Sequence, residues 1–206
     1  MESIERVLKL IPDLLAAGLL DVSGGNLALR VEEGVMITPT QAAEQLRWRL
    51  EPDDFILFPG GGEASMARAG RRPSRDNRVH RAVLAAQPDW DFSWHGHPWG
   101  LLSFCVAKQP LPVPHSHAEL LRPARPHEIP LVPQIPVGTA ELGEQVAEAM
   151  LATFKGCQRG AVLIGGHGPV VAGQGIEATL SLVQTLENLA RAQTWRLRAA
   201  PPDDES

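Results

Sequence analysis

Tyrosine is absent from the chain, so no phenolic hydroxyl is on hand as a proton donor. Cysteine is scarce. Cys105 and Cys157 have neither metal-type nor redox spacing and read as buried free thiols of a cytoplasmic protein. No apolar run approaches the ~20 residues that cross a bilayer. Basic residues never run longer than the Arg71–Arg72 pair, and the net charge is −5. These features argue against a nucleic-acid partner held by phosphate neutralisation and against a basic membrane-binding patch. The N-terminal segment carries Glu2 and Glu5 and lacks a positive leading region, so it does not read as a signal peptide. What remains is an ordinary composition, 44% hydrophobic and 21% charged over 206 residues, enough for one substantial core. The expectation is a single domain over 1–200 and a frayed tail over 201–206.

Hydrophobic spacing supplies the elements. Ile4, Val7, Leu8, Ile11 and Leu15 repeat with helical period, and this first helix should stop near Gly18. LALRV and VMITP read as strands joined by a turn at EEG, and Asp53 to Phe58 as a third strand. Arg75 to Gln87 reads as a helix with Ser74 as its N-cap and Asp76 in its first turn. DWDFSWHGHP is a strand ended by Pro98, and GLLSFCVAK an apolar helix. Residues 109–136 are dense in proline and too long for a plain connection, so they read as a packed, irregular excursion. ELGEQVAEAMLATF is a helix, GAVLIGG and HGPVVAG are strands meeting at a glycine-rich turn, and IEATLSLVQTLENLARAQTWRL is a long final helix. Hairpin signals mixed with helices imply an α/β layered domain with a largely antiparallel or mixed sheet.

The chemistry sits in the histidines. His95 and His97 in SWHGHPWG are two apart, and on a strand such residues share a face. Two imidazoles so placed can converge on one metal ion, or can be two solvated side chains. A third ligand is available in His167, among Gly165, Gly166 and Gly168, where glycine permits close backbone approach. Asp76 in PSRDNRVH offers a carboxylate as base, outer ligand or complement to the helix dipole. Asn26 in GGN suits an anion site or a tight turn, and Thr38 and Thr40 in MITPT can offer hydroxyls to a substrate oxyanion or simply end a strand.

Taken in order, SGGNLALR, MITPT, PSRDNRVH, WHGHP and LIGGHGPVVAG resemble the class II aldolase/adducin family of zinc-dependent sugar-phosphate aldolases and epimerases, across roughly residues 5–195. The resemblance implies a three-layer α/β/α sandwich around a mostly antiparallel sheet. It implies one zinc per subunit on His95, His97 and His167, with Asp76 as the catalytic carboxylate. Gly25, Asn26, Thr40, Gln41, Ser74 and Arg75 fall in the segments that cradle substrate phosphate. The implied activity is that of an aldehyde-lyase cleaving a small sugar phosphate or related hydroxy-carbonyl compound through an enediolate. A pentulose-phosphate 4-epimerase or a dehydratase would use the same site, and an adducin-like scaffold would keep the fold without the chemistry. A cytoplasmic homotetramer acting on a small molecule is the implied assembly.

The chain departs from that pattern in four places. Asp76 is a methylene shorter than the aldolases' glutamate. Arg75 stands where many relatives have a second serine, and its planar fork suits phosphate or carboxylate. Gln41 replaces a frequent glycine. The common tyrosine donor is missing, and His117-Ala118-Glu119 lies where the epimerase branch carries an acid that serves a neighbouring subunit, which makes Glu119 or His117 the candidate substitute donor, the alternative being solvent-exposed polar residues. His115 and His117 form a second H-x-H, in a loop that does not enforce convergence.

Overall fold

Seven strands form one sheet, with a two-stranded ribbon beside it. In chain order the elements are α1 (Glu2–Ala16), β1 (Asn26–Val31), β2 (Gly34–Ile37), α2 (Ala42–Leu46), β3 (Ile56–Pro59), α3 (Asn77–Ala86) and β4 (Phe92–His95). After these come α4 (Trp99–Ala107), β5 (Leu111–Pro112), α5 (His115–Ala118), β6 (Glu128–Ile129), β7 (Leu131–Val132), α6 (Ala140–Phe154), β8 (Arg159–Ile164), β9 (Gly168–Gly173) and α7 (Ile176–Ala199). The computed structural model describes residues 2–60, 62–65 and 70–199. The tail expected over 201–206 lies outside them.

The sheet has the order β3-β2-β1-β4-β9-β8-β7, and all neighbouring pairs in it are antiparallel except β7 with β8. Helices cover both faces. α3 packs on α6, and α4 packs on α7. Strand alternation separates the layers: Gly160 of β8 lies under Phe154 of α6, whereas Gly173 of β9, on the other face, lies against Thr179 of α7. This is the three-layer arrangement that the resemblance implies. α1 buries Ile4, Val7, Ile11 and Leu14, spaced for one helical face.

Three local expectations need correction. The strand expected from Asp53 begins at Ile56, because Pro52–Asp54 form a 3-10 turn in which Asp54 caps the Glu51 backbone N–H at 2.8 Å. α3 starts at Asn77 rather than Arg75. Asp76 takes the N-cap position without bonding the helix through its side chain, and Ser74 Oγ instead accepts the Asp76 N–H at 3.2 Å. The proline-dense excursion is packed as expected but holds more regular structure than proline suggests. β5 pairs with β6, and β7 adds an edge strand to the main sheet.

Two buried polar contacts anchor the region around β4. Glu187 of α7 is fully buried and accepts the N–H groups of Gly100 and Leu101, both at 2.9 Å, so it caps the start of α4 immediately after the HGHP segment. On the opposite face His80 of α3 is fully buried and pairs through Nδ1 with Ser93 Oγ of β4 at 2.7 Å.

Burial pushes the His80 imidazole down from 6.5 to about 4, only partly offset by the Asp76 charge. Between those values the unfolded chain binds a proton that the folded chain refuses, so stability is lost as pH falls through that window. The loss from His80 alone is on the order of 3 kcal/mol at pH 4. Denaturant titrations of the metal-free protein should show midpoints falling from pH 7 to pH 4.5, with a shallower slope in His80→Gln; an unchanged slope in that variant would contradict the assignment.

Candidate active site

The middle strand of the sheet delivers the first histidine. His95 is the last residue of β4 and lies opposite Asn26, the first residue of β1, and Val170 of β9. The expectation that His95 and His97 share a strand face fails, since β4 ends at His95. His97 lies two residues beyond, in the turn before Pro98, and reaches the same point from there. His167 stands in the β8–β9 turn, where Gly166 adopts a left-handed φ of 68° that glycine tolerates without strain. A side chain at Gly168 would sit 3.0 Å from ring atoms of both His95 and His97, so only glycine lets the rings gather.

The three rings converge. Their centroids are 4.9 Å apart for His95 and His97, 4.6 Å for His95 and His167, and 5.6 Å for His97 and His167. One ligand nitrogen from each lies within 4.8 Å of the others. Nδ1–H of His95 donates to the Pro169 carbonyl at 2.9 Å, which leaves Nε2 bare and aimed inward. Asp76 completes the cluster, with Oδ2 3.8 Å from His95 Nε2 and Oδ1 3.4 Å from His167 Nε2. His95 Nε2, His167 Nε2 and Asp76 Oδ1 are buried and have no hydrogen-bond partner among the described residues. Three such atoms facing one point fit a divalent cation.

Burial drives the His95 and His97 imidazoles toward neutrality. His95 is pushed down to about 3, the Asp76 charge and the Pro169 contact opposing and the other two rings adding; His97 is lowered by burial and by His167. Burial alone would raise the Asp76 carboxyl, but His95, His167 and the Asn26 amide outweigh it and hold it well below the ordinary carboxylate range. Neutral imidazoles beside an ionised carboxylate are the protonation states a metal site needs.

A cavity of about 130 Å³ opens beside the cluster. Gly25, Asn26, Thr40, Gln41, Ser74 and Arg75 all line it, together with Asp76, His97 and His167. Pairing of MITPT with PSRD sets this rim: Pro39 bridges Pro73, Thr40 N–H donates to Arg72 O at 2.8 Å, and Ser74 N–H to Thr38 O at 3.2 Å. Thr38 itself is fully buried and accepts the Leu27 N–H at 3.1 Å, a strand-end role. Asn26 is buried and donates from Nδ2 to Asp76 Oδ2 at 2.9 Å, while its carbonyl end meets His80 Nε2. Gln41 takes a left-handed φ of 59° and bonds Glu44 and Gln45. Arg75 is exposed on the rim, where a larger outer depression of about 790 Å³, also lined by Arg72 and Glu44, begins.

Glu119, His115 and His117 do not line this cavity. Glu119 pairs instead with Arg122 and Arg125 of its own segment. The sequence reading missed His80, Ser23, Gly24 and Glu44. His80 was visible in principle, four residues after Asp76 on a helix. Ser23 and Gly24 adjoin the GGN segment, and Asp21 Oδ1 holds both of their N–H groups, at 2.7 and 3.0 Å. Glu44 carried no signal, because its place on the rim follows from the chain path.

Known proteins resemble this chain in sequence and in fold. The family described as Class II Aldolase and Adducin N-terminal domain matches residues 5–194. A 5-methylthioribulose-1-phosphate/5-deoxyribulose-1-phosphate aldolase of Rhodospirillum rubrum is 33% identical over 190 residues, covering 90% of this chain and 77% of that protein. An L-fuculose phosphate aldolase of Escherichia coli O6:H1 is 27% identical over 190 residues, covering 92% and 81%. A solved L-fuculose 1-phosphate aldolase shares the fold, with a TM-score of 0.78 at 22% identity over 98% of this chain and 91% of that one. No described helix is long and apolar enough to cross a membrane. The match across nearly all of its length makes this chain a member of the class II aldolase and adducin family.

Proposed function

We propose that the chain is a zinc-dependent aldehyde-lyase that cleaves a small ketose phosphate into an aldehyde and a three-carbon fragment. The observation that carries the reading is the gathering of His95, His97 and His167 within 4.8 Å, with the unpartnered Oδ1 of Asp76 beside them. The similar proteins named as a 5-methylthioribulose-1-phosphate/5-deoxyribulose-1-phosphate aldolase and an L-fuculose phosphate aldolase support the substrate class.

His95, His97 and His167 would hold the metal, one per subunit. When bound, it supplies Lewis-acid polarisation to neighbouring carbonyl and hydroxyl oxygens of the substrate. Asp76 moves the proton. Oδ2 is held by Asn26, so Oδ1 is the oxygen free to carry a proton to and from the three-carbon fragment. The side chains and backbone at Gly25, Asn26, Thr40, Gln41 and Ser74 shape the recess for the phosphate. Arg75 adds a guanidinium at its mouth, where a bidentate contact to a phosphate suits its geometry. With no tyrosine in the chain, the Glu119 carboxylate is the group proposed to accept the hydroxyl proton as the aldehyde departs, and to return it in the condensation direction. It stands away from the cavity of its own chain, so this role places it at the site of a neighbouring copy in a homotetramer.

Metal content and cleavage should be lost together in His95→Ala, measured by elemental analysis and by aldehyde release from ketose 1-phosphates; full-rate cleavage without metal would remove the site assignment. Asp76→Asn should keep the metal and lose roughly 10²- to 10⁴-fold in turnover. Loss of metal in that variant would make Asp76 a ligand instead. Interconversion of stereoisomers without aldehyde release would move the reading to an epimerase. Arg75→Ala should raise KM for a phosphorylated ketose about tenfold or more and leave the unphosphorylated analogue unaffected; equal effects on both would take Arg75 out of phosphate binding.

A further inference from the structure

Four buried side chains form one line from the sheet to the metal cluster: Ser93, His80, Asn26 and Asp76. All four are less than a tenth exposed. Ser93 Oγ lies 2.7 Å from His80 Nδ1, His80 Nε2 contacts Asn26 Oδ1, and Asn26 Nδ2 lies 2.9 Å from Asp76 Oδ2. We propose that His80 is a positioning residue: held by Ser93 in the tautomer with its proton on Nε2, it fixes the Asn26 amide and through it the orientation of the Asp76 carboxylate. The proposal rests on Asp76 being the working carboxylate of the lyase reading above.

Donor and acceptor bookkeeping allows one assignment. An ionised carboxylate only accepts, so the Asn26 amide must turn its Nδ2–H toward Asp76. Its carbonyl oxygen then faces His80, and a carbonyl also only accepts, so Nε2 must carry the proton. Burial keeps the ring neutral at pH 7, which leaves Nδ1 bare and able to accept. Ser93 is the one member that can donate there, through its hydroxyl. Each step forces the next, and reversing any one leaves a buried polar atom unpaired, which is costly.

The line matters because nothing else in the helix holds Asp76. The residue occupies the N-cap of α3 but makes no capping bond, so the usual tether of such a carboxylate is missing. Asn26 supplies the hydrogen bond to Oδ2 and leaves Oδ1 toward His167 and the cavity. Asn26 in turn is the first residue of β1, where a free amide would be able to flip. His80, packed in α3 four residues after Asp76, prevents this.

The test uses zinc-loaded wild type, His80→Leu, His80→Gln, Asp76→Asn and the Asp76→Asn/His80→Leu double variant. In crystal structures, Asp76 should turn away from its native orientation in His80→Leu. Turnover on a ketose 1-phosphate should fall roughly 10- to 100-fold, with KM and metal content nearly unchanged. His80→Gln keeps a donor where Nε2 stood and should restore most of the turnover. In the Asp76→Asn background the same His80→Leu change should cost nothing further. An unmoved Asp76 in His80→Leu, or equal losses in both backgrounds, overturns the proposal. If His80→Leu does not fold, NMR of the imidazole nitrogens in wild type decides: Nε2–H supports the line and Nδ1–H overturns it. A wild type that cleaves no ketose phosphate counts against the reaction, while the crystallographic and NMR results still judge the positioning.

Discussion

Three polar atoms without a hydrogen-bond partner among the described residues meet at the end of the central strand: His95 Nε2, His167 Nε2 and Asp76 Oδ1. Each such atom costs about 1–3 kcal/mol when buried and unpaired. A fold carries a debt of this kind where a bound group relieves it. The surroundings keep the three atoms from relieving one another. The Pro169 carbonyl fixes the His95 ring, Asn26 holds the far oxygen of Asp76, and the glycine-lined turn sets His167 in place. These contacts hold the cluster in an arrangement that could receive a cation.

The sheet explains how distant segments supply these groups. β4 lies between β1 and β9, so a residue at its end is flanked by the start of β1 and the turn preceding β9. That adjacency brings Asn26, His95 and His167 together from positions 141 residues apart in the chain at the extremes. α3 lies over the same face and contributes Asp76 from its N-cap and His80 from one turn further. Glu187 works from the opposite layer, clamping the start of α4 so that the His97 turn is held at both ends.

Much of this was legible in the residue order. The histidine triplet and Asp76 could be named because their segments carry marks of their own, an H-x-H-P, a G-H-G and a carboxylate at a helix start. The alternation argument for His95 and His97 was sound for strands and wrong in place, because Gly96 already lies past the end of β4. The start of α3 was misread because a serine two residues earlier is an equally good cap, and a capping residue is recognised by its bond rather than by its type. β7 was hidden among prolines, since an edge strand of two residues has no periodicity to detect. The place of His80 one helical turn after Asp76 was legible, but its burial beside Ser93 of β4 is a tertiary fact. Glu119 shows the limit from the other side: its segment has the right order, but its partners within the chain are Arg122 and Arg125.

The glycines at the cluster divide the site into a part that can vary and a part that cannot. A Cβ at Gly24 would stand 2.9 Å from the His97 ring, and one at Gly168 would crowd two of the three imidazoles. No side chain can be introduced at either without displacing a ligand. Glu44 and Arg75 face no such restriction, as they lie on the outer rim. Divergence in substrate choice, whether natural or by laboratory selection, has room to proceed at those rim positions. The inner wall is locked, so a library aimed at new substrates gains most from randomising the rim and leaving the glycines untouched.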